Sequence, residues 1–212
     1  MLKKGLILLT FLFSLLGVIF LIERALVDAD PFGALIVTSF FYTTQSNVLV
    51  FIVVSLYVLK LRDSRLFEIL AFIAAVDISI TGIVYNLFLT SYVTEMDFMQ
   101  RLLHIYVPIL YVTFYVFIIN TKLRFSNLLL VLIHPLLFLM SVYLLVLPHF
   151  TGLFRQIYWG LERPEYIYPF LDPNNYDRGS TDVFLFGTFV ITPLFIVLGI
   201  IFIRVKGKLS RA

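Results

Sequence analysis

Six stretches of this chain are apolar for long enough to cross a bilayer, and that constraint comes before any motif. They run over Gly5–Val27, Phe32–Leu59, Leu66–Leu89, Phe98–Ile119, Asn127–Leu147 and Asp182–Ile203. A helix rising 1.5 Å per residue needs about 20 residues to span roughly 30 Å of hydrocarbon. Lipid offers no partner to backbone N–H and C=O groups, so segments of this kind cross as helices. The expected architecture is an all-α, polytopic six-transmembrane-helix bundle forming one domain over residues 1–212. The first stretch follows Lys3 and Lys4 as a signal peptide would, but it is too long and ends in Glu23-Arg24 rather than at small residues. It reads as a retained first span.

Composition agrees. Hydrophobic residues make up 61% of the chain, charged residues 14%, and the mean hydropathy is +1.01. Soluble domains carry about 25% charged residues, which leaves no room here for a separate soluble domain. The net charge of +3 is spread over segment ends rather than gathered on one face, which excludes a nucleic-acid footprint. With no cysteine, disulfides, thiolate metal sites and a Cys nucleophile are excluded too. Three dispersed histidines suggest no metal site, and no cofactor motif occurs.

Orientation follows from the basic residues of the connections. Eleven of the 16 Lys and Arg fall on one side: Lys3, Lys4, Lys60, Arg62, Arg65, Lys122, Arg124, Arg204, Lys206, Lys208 and Arg211. Arg24, Arg101, Arg155, Arg163 and Arg178 fall on the other. Both termini are therefore expected in the cytoplasm of a cell whose cytoplasmic membrane holds the protein. The long connection 148–181 is then external. It carries Trp159, Tyr158, Tyr166, Tyr168, Tyr176, Asp172 and four prolines (Pro148, Pro164, Pro169, Pro173). It reads either as an interfacial aromatic belt or as a cap over a site that opens outward.

No G-x-S-x-G, H-E-x-x-H, Walker or G-x-G-x-x-G string occurs, so the polar residues at membrane depth carry the functional reading. The second stretch contains S-F-F-Y-T-T-Q-S-N over 39–47. If it is one helix, Ser39, Thr43, Ser46 and Asn47 share a face. That stripe either bonds back to its own helix or meets a partner helix or wet cavity. Asn47 and Gln45 favour the second, because amides need partners outside their own turn. His104, with Gln100 and Arg101 a turn earlier, falls at a depth similar to Thr43. The two make either a nucleophile and its base or a hydroxyl and a structural His. Asp77 either orients His104 or relays a proton, or it is a neutral acid bonded to a Tyr or Thr hydroxyl. Asn86 is positioned to donate to a carbonyl. His134, before Pro135, falls in the inner half, away from the Thr43 site.

Four strings, F-F-Y-T-T-Q-S-N at Phe40–Asn47, T-G-I-V-Y-N at Thr81–Asn86, L-L-H-I-Y-V-P at Leu102–Pro108 and Y-P-F-L-D at Tyr168–Asp172, resemble the androgen-induced-protein-like integral membrane family. The closer likeness is to its bacterial six-span branch, and it runs over nearly the whole chain. Animal members of that family are hydrolases of fatty acid esters of hydroxy fatty acids, with a threonine nucleophile and a histidine. The resemblance maps these onto Thr43 and His104. It implies a bacterial cytoplasmic-membrane hydrolase of lipid-like esters, its site in the outer half of the bilayer and membrane lipids its surroundings. The Gln45-Ser46-Asn47 run is not shared by the animal enzymes, and Thr44 is a neighbouring candidate nucleophile. Helical N–H groups near Thr43 are expected to be already bonded, so Asn47 and Asn86 are the expected oxyanion donors, with Gln45, Arg101 and Asp77 in support. The competing expectation is a lipid- or small-molecule-binding membrane protein or a transporter. Transporters often carry an internal repeat and paired broken helices, and the sequence displays neither.

Overall fold

The computed structural model describes residues 2–90, 96–158 and 162–209, which are helical apart from the connections, with no β-strand among them. In chain order the helices are α1 (Leu2–Leu26), α2 (Pro31–Ser39), α3 (Tyr42–Val58), α4 (Arg65–Leu89), α5 (98–117), α6 (Phe125–Ile157) and α7 (Ser180–Leu209). Trp159 and Arg211, used above for the loop and the charge balance, lie outside the described residues. Helices α1, α4, α6 and α7 are long and apolar enough to cross a membrane, and α2 with α3 makes a fifth if the pair is one bent span. This is consistent with an integral membrane protein. Helix α5 corresponds to the remaining expected segment, but Gln100, Arg101 and His104 crowd its start and it is not among those spans.

Helix α4 is the centre of the bundle. Of its membrane-length window 72% is buried, against 22% for each of α1, α6 and α7. Ser64 starts it by accepting the Phe67 N–H at 3.1 Å, a side-chain cap for an otherwise unpaired donor. Close approach to α5 depends on Gly82, where a Cβ would stand 3.2 Å from the His104 carbonyl oxygen and 3.4 Å from Pro108. On α1 the buried positions are Thr10, Ser14, Gly17, Leu21 and Ala25, a mostly small-residue stripe of the kind that lets membrane helices meet closely.

One end of the bundle collects basic residues. Arg65 bonds Glu68 at 2.6 Å and Asn127 at 2.9 Å, joining the α3–α4 and α5–α6 connections. Lys206 of α7 donates to the carbonyls of Tyr115, Val116 and Ile119, supplying a donor to the C-terminal carbonyls of α5, which a helix leaves without N–H partners of its own.

The expected straight second span, Phe32–Leu59, is two helices meeting at 83°. Asp30 caps α2 through the Gly33 N–H at 2.9 Å and Pro31 follows at its first position, a favoured helix start. The break falls at Phe40-Phe41, where Phe41 is extended (φ −72°, ψ 132°). Phe40 packs on Phe150 and Phe154, and Phe41 on Tyr158 and Tyr168. Ser39 turns its hydroxyl onto the Ile36 carbonyl at 2.6 Å, the local bond that competes with helix continuation. Ser39 therefore does not share a helical face with Thr43, Ser46 and Asn47.

At the other end, the long connection folds into short 3-10 turns at Pro164–Tyr166, Pro169–Leu171 and Pro173–Asn175. Two ion pairs hold it: Arg155–Glu165 at 2.6 Å and Arg163–Asp172 at 3.0 Å. Burial raises the Glu165 carboxyl's pKa, but hydrogen bonding and charge from Arg155 and charge from Arg163 outweigh it and leave the pKa lowered. A carboxylate with a lowered folded pKa stabilises above its unfolded pKa and loses that contribution as pH falls through the folded value. Hydrogen exchange over the 164–171 segment should thus show an acid-side opening step that Glu165→Gln abolishes, because the uncharged variant is already open at neutral pH. Gly82→Ala should lower the thermal midpoint, overpacking costing about 1–3 kcal/mol. Gly152→Ala, with open space around it, should be neutral or gain up to about 1 kcal/mol in its helix.

Candidate functional site

The break gives α3 a free beginning, and this beginning forms part of a cavity wall. Thr43, in the first turn, donates its backbone N–H to the Tyr168 hydroxyl at 3.3 Å, and its Oγ1 lies 3.4 Å from the same oxygen. The expectation that N–H groups near Thr43 are all bonded within the helix is corrected by the break. The first-turn donors have no carbonyl behind them, and a loop side chain serves instead.

The cavity is about 560 Å³ and is lined by α4 (Ile80 to Leu89), α6 (Leu132 to Tyr143), the loop (Tyr168, Phe170, Leu171), α7 (Ser180 to Phe195) and the Tyr42-Thr43 turn. Its walls are mostly Leu, Ile, Val and Phe, with hydroxyls from Thr43, Thr81 and Tyr168 near one end. Helices α6 and α7 pack together through Phe125–Leu132 and Thr192–Leu209, and beyond that contact the cavity separates them. Leu136 and Phe184 on its wall are 56% and 69% exposed, so the mouth opens sideways through the bundle wall. A space of this size and lining suits an alkyl or acyl chain.

Beside Thr43 is a buried polar network. Asp77 is fully buried. Its Oδ1 accepts from Tyr42 Oη at 2.6 Å, and its Oδ2 lies 2.7 Å from His134 Nδ1. His134 Nε2 lies 3.1 Å from Gln45 Oε1, while Gln45 Nε2 donates back across the break to the Ser39 carbonyl at 3.0 Å. This orientation of Gln45 requires His134 Nε2 to carry a hydrogen. One proton then lies between Nδ1 and Oδ2, and the pair is neutral in sum whether it is an imidazolium–carboxylate or two neutral groups. Asp77 therefore engages His134 and Tyr42 rather than orienting His104.

His134 was expected far from Thr43, and this is corrected: its ring stacks on Tyr42 at 4.9 Å. Helix α6 opens as a 3-10 helix over Phe125–Leu132, rising about 2.0 Å per residue instead of 1.5, which carries His134 deeper than an α-helix would.

His104 is buried, 8% exposed, in a π-helical turn, and lies flat on Tyr85 with ring centroids 3.6 Å apart. Tyr85 lines the cavity and His104 does not. Nδ1 of the ring has no hydrogen-bond partner among the described residues. Thr43 and His104 share no hydrogen bond. A short path links them: Ser46 Oγ bonds the Thr43 carbonyl at 3.1 Å and Thr81 Oγ1 at 2.8 Å. Asn47 Nδ2 also donates to the Thr43 carbonyl at 2.9 Å and the Leu103 carbonyl at 3.4 Å.

Two expected oxyanion donors are thereby committed elsewhere. Asn47 holds those two carbonyls, and Asn86, largely exposed, donates to the carbonyls of Gly82 at 2.7 Å and His104 at 3.3 Å. Arg101 is exposed and bonds the Met96 carbonyl at 3.1 Å, outside the cavity. Residues that sequence reasoning missed are His134, as the Asp77 partner, and Tyr168, as the Thr43 partner. The Tyr-Pro string marked the second, but nothing in the sequence pointed it at Thr43. No family model, curated protein or solved structure matches the chain.

Removing one partner of a buried polar pair leaves the other uncompensated, at about 3–5 kcal/mol. Asp77→Ala and His134→Ala should each lose stability on that scale in detergent unfolding. Asp77→Asn should lose far less, because its amide can accept from Tyr42 and donate to an unprotonated His134 Nδ1.

Proposed function

We propose that this protein is a membrane-embedded hydrolase of lipid-like esters. The carrying observation is the Thr43 hydroxyl at the free start of α3, on the wall of an apolar cavity that opens sideways. An acyl chain entering through that mouth would bring its ester group to the Thr43, Thr81 and Tyr168 hydroxyls on the cavity wall. In this reading Thr43 Oγ attacks the ester carbonyl and His104 Nδ1, free of other partners, takes the proton. The alcohol leaves, and water then releases the acyl group from Thr43. Since the two residues are not bonded to each other, substrate entry or one bridging water has to complete the transfer. The resemblance of four strings to the androgen-induced-protein-like family supports the same pair. Six spans, cytoplasmic termini and a site in the outer half of a bacterial cytoplasmic membrane belong to this proposal. Its support is the clustering of Arg65, Lys206 and their partners at one end of the bundle.

A second reading, lipid binding without turnover, is favoured by one observation: Tyr85 lines the cavity while the His104 ring stacked on it does not. A fluorophosphonate probe on the detergent-solubilised protein separates the two. The hydrolase reading expects an adduct on Thr43, absent in Thr43→Ala and slowed about 10²–10⁴-fold in His104→Ala. No adduct, with lipid esters left intact and lipid co-purifying in fixed ratio, would establish the binding reading instead.

A further inference from the structure

Tyr168 reaches Thr43 from 125 positions away, and the loop goes to some length to hold it there. The preceding residue, Ile167, has φ 67° and ψ −47°, the γ-turn conformation, and the Tyr168 N–H closes that turn on the Tyr166 carbonyl at 2.7 Å. Positive φ in a β-branched residue is a true outlier, and γ-turns of this hand are strained. Such strain persists only where the surroundings over-determine it. Here Arg155–Glu165 and Arg163–Asp172 clamp the loop on either side of the turn. Phe170 stacks on the Tyr168 ring at 5.2 Å, and Phe41 meets it edge-on at 6.1 Å.

The hydrogen bonding at the hydroxyl is one-sided. Its oxygen accepts the Thr43 amide N–H at 3.3 Å and lies 3.4 Å from Thr43 Oγ1. After that amide bond the phenol keeps its own O–H, which is free to turn toward an oxygen placed beside Thr43 Oγ1. The Thr43 N–H is taken by the phenol oxygen, so the hydrogen left beside the proposed nucleophile is the phenol's own.

We propose that the Tyr168 hydroxyl is the oxyanion donor of the Thr43 site. This rests on the hydrolase reading. As Thr43 Oγ bonds the carbonyl carbon, the π pair moves onto the carbonyl oxygen, which takes a hydrogen bond from the Tyr168 Oη–H. The Thr43 proton goes to His104. Collapse returns the pair, breaks the bond to the alkoxy oxygen, and that oxygen leaves as the alcohol with the proton from His104. Water repeats the sequence on the acyl-threonine. Tyr168 gives up no proton. Burial pushes its phenol above the ordinary range despite the Thr43 hydrogen bonding, so it stays a donor through the neutral range.

The test uses the full chain in detergent with a p-nitrophenyl decanoate substrate, comparing wild type, Thr43→Ala and Tyr168→Phe. Phenylalanine keeps the ring contacts and removes only the hydroxyl. Expected is a fall in kcat of about 10²–10³-fold in Tyr168→Phe, with KM and the thermal midpoint unchanged. Fluorophosphonate labelling of Thr43 should slow in parallel, because the phosphoryl oxygen needs the same donor. Unchanged kcat in Tyr168→Phe would overturn the assignment and leave the hydrolase reading standing. So would a loss of kcat matched by a fallen midpoint, which would make Tyr168 a loop anchor. A wild type that leaves the ester intact, or a Thr43→Ala protein that cleaves it, would overturn the hydrolase reading and the assignment with it.

Discussion

A carboxylate at the centre of the bundle has to be satisfied before anything else can pack. Asp77 sits on the most buried helix with no exposure of its own, and an unpaired polar group there costs several kcal/mol. Two helices supply its solution: α3 gives Tyr42 at its start and Gln45 behind His134, and α6 gives His134. The partners fix where α3 begins and how deep α6 reaches. Because Gln45 also holds the Ser39 carbonyl, the same network bridges the break between α2 and α3. Packing and polar satisfaction agree on one arrangement, as a sequence that specifies a single fold requires.

The break in turn has a chemical consequence. A continuous helix through residues 32–59 would bond every N–H near Thr43 to a carbonyl four residues back, and Thr43 would be one more back-bonded hydroxyl in a helix interior. Ending α2 at Ser39 and restarting at Tyr42 puts Thr43 on a first turn, with donors and the positive end of the helix dipole facing the cavity. Four π-helical turns, at Tyr85–Leu89, Leu102–Tyr106, Val142–Phe150 and Gly187–Ile191, lie in α4, α5, α6 and α7. Each shifts the side chains that follow it by part of a turn. Tyr85 and His104 lie on two of them and stack on each other.

Much of this was legible in the residues. The long apolar stretches and the unusual polarity of 39–47 were visible as local features, since each depends on a few neighbouring residues. The break was not, although two signs were present. A run of 28 residues is about 42 Å of helix at 1.5 Å per residue, more than the bilayer needs. Thr, Gln, Ser and Asn in succession suit a first turn better than an interior. What hid it was its cause, the aromatic contacts of Phe40 and Phe41 with α6 and the loop beyond it, more than 100 positions away. His134 was misplaced for a related reason. Depth was counted at α-helical rise through a segment that is 3-10, and no periodicity in F-S-N-L-L-L-V-L announces that.

The two buried histidines show why proximity alone is a poor guide to chemistry here. His134 is the nearer to Thr43 in contacts, through its stack on Tyr42, yet both of its nitrogens are committed, one to Asp77 and one to Gln45. Accepting a further proton would leave it no vacant lone pair to do so with, and releasing one would break the pair that satisfies Asp77. Its place is fixed by the structure it holds. His104 is farther in contacts, but its ring is held flat on Tyr85 and its Nδ1 has no partner among the described residues, which leaves a ring nitrogen uncommitted. A base must exchange its proton without unmaking the fold around it. Of the two rings, His104 is the one whose Nδ1 has no partner among the described residues, which is why the proposed reading gives it the proton.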